Sequence, residues 1–142
     1  MSSRLFTEVR EKRGLAYSIY AYLNPMQHST VLASKVATKN SRVSDSIQLI
    51  RDEWKKISQN GISEQELRDA KAYLNGSFPL LFRSGQTIAN LLLQTQLLNL
   101  TIADVENRAL LINSVSLQHA NRVAEQLYNE EALTVVVVGD PK

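Results

Sequence analysis

The sequence predicts an α+β fold, a small and mostly antiparallel sheet covered on one face by helices. Three observations carry that reading. Leu15 to Leu23 is rich in aromatic and β-branched residues, and Thr30 to Thr38 reads as its antiparallel hairpin partner across an Asn24-Pro25 turn. A long stretch then repeats apolar residues at steps of three and four between readable helix ends. Finally, Leu133 to Val138 is an unbroken apolar run closed by Gly139-Asp140-Pro141, as in a strand buried on both faces.

The elements follow in order. From Ser3 to Lys12, Leu5, Phe6 and Val9 sit at helical spacing, with Ser2 or Ser3 as the N-cap and Gly14 as the stop. After the hairpin, Val43, Ile47, Ile50, Trp54 and Ile57 form one apolar stripe, capped by Asn40 or Ser41 and ended by Asn60-Gly61. Ser63-Glu64-Gln65-Glu66 is a capping-box pattern opening a helix with Leu67, Ala70 and Leu74 inward, interrupted at Gly76 and Pro79. A largely apolar helix spans about Gln86 to Leu98. Thr101 and Asp104 open a shorter one carrying Val105, Ala109 and Ile112. Ser116 opens the last, with Leu117, Ala120, Val123, Ala124 and Leu127 on one side. Three strands are few for one domain spanning 1–142, and the last wants neighbours on both edges. An open apolar edge invites pairing with another chain.

Composition narrows the function. Hydrophobic residues make up 44% and charged residues 21% of the 142, as in ordinary globular proteins. A net charge of +2, without a basic stripe, speaks against a nucleic-acid partner. No apolar run approaches the roughly 20 residues of a membrane span. There are no cysteines, so neither disulfides nor thiol chemistry arise.

Chemistry-bearing motifs are scarce. The two histidines, His28 and His119, have no partner at zinc-ligand spacing and read as solvated surface residues. No serine lies in a nucleophile elbow, and the five glycines are scattered rather than gathered into a phosphate loop. One cluster remains, Arg10-Glu11-Lys12-Arg13-Gly14-Leu15-Ala16-Tyr17. A turn at Gly14 can bring Arg10 and Tyr17 near one another. Arg10 can equally be a surface cation favoured at a helix C-terminus, and Tyr17 an ordinary strand tyrosine. Strand alternation puts Tyr17 on the face of Leu15 and Ile19, where a core role is open to it, and Tyr20 and Tyr22 on the other.

The segment Ser3-Arg4-Leu5-Phe6-Thr7-Glu8-Val9-Arg10-Glu11-Lys12-Arg13-Gly14-Leu15-Ala16-Tyr17-Ser18-Ile19 resembles a signature of the insulinase/pitrilysin-type (inverzincin) zinc peptidases, which include mitochondrial processing peptidase. Gly61 to Leu67 resembles the start of that family's long helix, and Val115 to Ala124 with Leu133 to Gly139 resembles its closing helix and strand. The resemblance implies a C-terminal, metal-free half that closes with a homologous zinc-bearing half or subunit around an extended peptide substrate. It implies no cofactor in this chain, zinc in the partner, and no cleavage by this chain alone. By the same resemblance Arg10 and Tyr17 are the catalytic pair, hydrogen-bonding the scissile carbonyl or its oxyanion. Guanidinium and phenol suit that task as a permanent cation and a neutral donor.

The family's second half begins with strands and a helix ahead of the Ser-Arg-Leu-Phe motif. The chain therefore reads as a single, truncated second-half domain, with Met1 a candidate added residue and self-association expected of its open sheet. The resemblance also favours a periplasmic over a cytoplasmic location. The rival reading is a noncatalytic structural core subunit of the same fold, and a third is an unrelated adaptor domain.

Overall fold

The computed structural model describes residues 4–26 and 28–140, so the proposed Ser2 or Ser3 cap lies outside the described residues. The architecture is α+β, a two-stranded sheet with several helices. Strands β1 (Ala16–Pro25) and β2 (Thr30–Thr38) form an antiparallel hairpin. The helices are α1 (Val43–Asn60), α2 (Glu64–Ser77), α3 (Gly85–Leu97), α4 (Ile102–Glu106), α5 (Arg108–Ser114) and α6 (Leu117–Leu127). A π-helix (Phe6–Glu11) precedes the sheet, and 3-10 turns occupy Asn40–Arg42 and Phe78–Arg83. The chain divides into two compact units. One comprises Met1–Asn24, Val31–Gly61 and Asn121–Lys142, the other Pro25–Thr30 and Ile62–Ala120.

The sheet-bearing unit has a closed core. Leu5 and Val9 of the N-terminal helical segment, Ala16 and Ile19 of β1, and Leu49, Ile50 and Trp54 of α1 are all buried together. Leu32, Val36, Tyr128 and Leu133 pack around them, and the Trp54 and Tyr128 rings meet edge-on at 5.2 Å. Burial raises the Tyr128 pKa. The buried axis of α1 runs through Ser46, Leu49, Ile50, Glu53 and Trp54, so two polar residues join the expected stripe. Ser46 donates its hydroxyl to the Arg42 carbonyl at 2.8 Å, and Glu53 receives the Lys56 ammonium at 2.6 Å. Both polar groups are therefore satisfied.

The helical unit depends more on local contacts. Ser63 and Glu66 close a full capping box on α2, and Thr101 and Asp104 close another on α4. Ser84 caps α3 by accepting the Thr87 N–H at 3.2 Å. Between α2 and α5, Arg108 donates to the Leu74 carbonyl at 3.0 Å while its guanidinium lies 4.6 Å from the Phe78 ring. Lys71 donates to the Asn113 carbonyl at 2.9 Å.

Several expectations are corrected. Leu133 to Val138 is not a strand: only Leu133 packs on the core, while Val136 and Val138 are 82% and 96% exposed. A strand needs a neighbour's row of backbone donors and acceptors, and among the described residues neither β1 nor β2 pairs with this run. Pro25 ends β1 rather than forming the turn, which closes through the Met26 N–H to Ser29 carbonyl bond of 2.8 Å. Asn40 and Ser41 do not cap α1; they form the 3-10 turn ahead of it. Helix α2 runs through Gly76, and Leu74 is exposed rather than inward. The helix opened by Thr101 breaks at Asn107 into α4 and α5.

Candidate functional site

The site is built on the turn from the π-helix into β1. Wide-helix bonding is set by the Lys12 N–H donating to the Thr7 carbonyl five residues back, at 3.0 Å. The segment then closes with Gly14 N–H to Arg10 carbonyl at 3.1 Å and Leu15 N–H to Val9 carbonyl at 2.9 Å. Gly14 has φ +57°, and a Cβ placed on it would meet nothing within 4 Å, so glycine is favoured there by conformation and not by space. Val9 is fully buried and pins the segment to the core. Its chain neighbour Arg10 consequently faces solvent. Single π turns recur at functional positions because the widened ladder re-aims side chains.

Arg10 and Tyr17 do come together. The guanidinium carbon of Arg10 lies 5.3 Å from the Tyr17 ring centre and 4.8 Å from that of Phe6. Both distances are in the range of cation–π contact, and the guanidinium keeps its N–H donors in its own plane. Tyr17 is 84% exposed, so it takes no core role. The even alternation of β1 fails here, since Ala16 and Ile19, three apart, are the buried pair. Among the described residues neither the guanidinium of Arg10 nor the phenol of Tyr17 has a hydrogen-bond partner or an ion pair.

Glu8 and Glu53 are engaged elsewhere, whereas Glu11, next to Arg10 in the chain, is exposed. Glu8 accepts the Lys12 ammonium at 2.5 Å, and that hydrogen bond above all holds its carboxyl below the ordinary range. Glu53, 3% exposed, raises the Lys56 pKa, chiefly through their hydrogen bond. A cavity of about 610 Å³ opens beside the pair. Arg10, Tyr17, Thr38, Lys39 and Arg42 are among the residues that line it. The Thr38 hydroxyl donates to the Leu15 carbonyl at 2.5 Å and ties the end of β2 to the start of β1.

Sequence reasoning singled out Arg10 and Tyr17 but missed Phe6, Lys39 and Arg42. Phe6 stands four residues before Arg10, the spacing at which helical side chains meet. Lys39 and Arg42 follow directly on β2, so the hairpin register was the available signal. His28 and His119 are both exposed. The residues present do not fit a zinc site: among those described, no group of three or more His, Cys, Asp or Glu could hold a metal ion. No helix among them is long and apolar enough to cross a membrane.

A second cavity of about 650 Å³ lies at the end of α1, lined by Asn60, Gly61, Asn121, Arg122 and Glu125 among others. Gly61 has φ +66° and ψ −156°, a conformation essentially confined to glycine. A Cβ there would stand 2.5 Å from the Asn121 Oδ1.

Known proteins resemble this chain over most of its length. The family described as the peptidase M16 inactive domain matches residues 1–74, a stretch that holds every residue of the Arg10–Tyr17 site. A protein of Mycobacterium leprae, named as an uncharacterized zinc protease, is 33% identical over 130 residues, which are 92% of this chain and 29% of that protein. A non-peptidase homolog from Helicobacter pylori is 37% identical over 78 residues, 55% of this chain and 18% of its own length. The crystal structure of a peptidase M16 inactive domain from Pseudomonas fluorescens superposes with a TM-score of 0.76 at 27% identity, covering 90% of this chain and 30% of that one. The chain thus spans about 30% of the length of the Mycobacterium leprae and Pseudomonas fluorescens proteins.

Proposed function

The chain belongs to the peptidase M16 inactive-domain family, and from that premise we propose that it is the substrate-facing, metal-free half of a zinc endopeptidase, with Arg10 and Tyr17 as its contribution to the active site. One observation supports this most: the two side chains stand together at 5.3 Å, exposed, with donors that no other described group occupies. The metal and the water it activates would come from a homologous zinc-bearing half or subunit, since the described residues hold no ligand set for them. What this chain supplies is orientation. A peptide lying extended across the site would receive hydrogen bonds from the guanidinium and the phenol on its scissile carbonyl, and those bonds would strengthen as negative charge develops on the oxygen. Tyr17 and Arg10 are then catalytic residues because they touch the reacting carbonyl.

The test joins the full-length protein to its zinc-bearing counterpart and follows peptide cleavage. Arg10→Ala and Tyr17→Phe should each lower turnover by about 10²–10³-fold, the scale for losing one such donor. Thermal melting should barely move, because both side chains are exposed. The name of the Helicobacter pylori homolog favours a second reading, a noncatalytic structural core of the same fold. Turnover unchanged in both variants would leave that second reading standing. Self-association belongs to the same proposal, the unpaired Val135 to Val138 run supplying the contact. Sedimentation of the chain alone should show a concentration-dependent dimer, and a strict monomer would remove this part.

A further inference from the structure

We propose that the cavity beside Arg10 and Tyr17 binds a carboxylate carried by the peptide, so that this half of the protein favours acidic substrates. The inference rests on the reading of the chain as a substrate-facing half. Three cations, Arg10, Lys39 and Arg42, line one space of about 610 Å³, and no lining residue is acidic. The 3-10 turn fixes two of them: the Arg42 N–H donates to the Lys39 carbonyl at 2.8 Å, and residues three apart in such a turn stand in register.

Little inside the protein neutralises the group. Arg42 meets Asp45 only at 3.8 Å, with both side chains more than half exposed, a geometry worth little. Among the described residues no acid pairs with Arg10 or Lys39, while Glu8 and Glu53 are taken by Lys12 and Lys56. The Phe6 and Tyr17 ring centres lie 4.8 and 5.3 Å from the Arg10 guanidinium carbon, and the guanidinium's donors lie in its own plane, in the fork that matches a carboxylate. The Tyr17 phenol adds a neutral donor beside it. An anion entering this space gains from all of these groups at once, whereas a neutral amide gains hydrogen bonds without the charge.

The test uses the chain itself, labelled with nitrogen-15 and titrated at low ionic strength with three synthetic peptides. One carries a single Glu with both ends blocked, one carries Gln in its place, and one is the Gln peptide with a free C-terminal carboxylate. At least one of the acidic peptides should bind about fivefold more tightly than the blocked Gln peptide, as expected for two or three exposed charge pairs. Which acidic peptide wins identifies the carboxylate as a side chain or a chain end. Signals of Tyr17, Lys39 and Arg42 should shift together. The preference should vanish in the Lys39→Glu/Arg42→Glu variant, whose altered residues are exposed, and at about 0.5 M salt. Equal affinity for all three peptides, no saturable binding, or a preference that survives charge reversal would overturn the proposal. An intact acidic preference with turnover indifferent to Arg10→Ala and Tyr17→Phe would instead sink the catalytic reading and leave the carboxylate site in place.

Discussion

In the sheet-bearing unit eight apolar side chains are buried, from Leu5 to Ala124, whereas in the helical unit no described residue is. The helical unit exposes large apolar groups instead, Leu92, Leu110 and Leu111 among them. Its helices rest on two capping boxes, the Ser84 cap and near-neighbour pairs such as Arg68 with Glu64. Such local devices contribute about 0.3–1 kcal/mol each, less than the roughly 1.5–3 kcal/mol of a fully buried large apolar side chain. The lesson concerns placement. Arg10 and Tyr17 stand on the unit that has a core, flanked in sequence by the buried Val9 and Ala16, so their positions are set by packing.

The strongest way to break this comparison is to remove one large side chain from each unit. Trp54→Ala should cost about 3–5 kcal/mol in urea unfolding. Leu110→Ala, at a residue 69% exposed, should stay within about 0.5 kcal/mol. Equal losses would mean that the helical unit is covered in solution. Glycine offers a sharper contrast with opposite signs. Gly61→Ala should destabilise by about 1–3 kcal/mol, because its backbone conformation excludes a side chain and Asn121 blocks the space. Gly76→Ala, inside α2 with nothing within 4 Å, should stabilise by about 0.5–1 kcal/mol. Two losses in thermal melting would show that Gly76 meets something beyond its own helix.

The smallest effect is expected from acid. The Asp104 carboxyl is held below its ordinary 3.8 by the Thr101 N–H and then by the Thr101 hydroxyl. A depressed folded-state pKa means that the stabilisation is complete above pH 3.8 and disappears as pH falls through the lower folded value. The Thr101 amide signal should therefore titrate below pH 3.8, and faster amide exchange in α4 should accompany it. A Thr101 signal that titrates above that value would contradict the capping geometry.

What was legible in the sequence was local. Strand β2 falls at Thr30–Thr38 as expected, α1 stops before Gly61, and both capping boxes close as their residue types and spacing required. The meeting of Arg10 and Tyr17 was legible as well, because Gly14 between them reverses the chain within a few residues. Phe6, Lys39 and Arg42 were not, although all three border the same site. Lys39 and Arg42 reach it only through the pairing of β2 with β1, and nothing in their own neighbourhood announces that.

By itself, then, the sequence determined the family, the hairpin, the end of α1 at Gly61, the Ser63 start of α2 and the candidate pair, most of which depend on groups close along the chain. Tertiary structure alone decided that Tyr17 faces outward while Ala16 and Ile19 turn in, that Leu133 to Val138 stays unpaired, and that three cations share one cavity. The physical reason is common to the three. A helix carries its hydrogen-bond partners within its own turn, but a strand's partner, the face it buries and the charges beside it are supplied by residues distant in sequence.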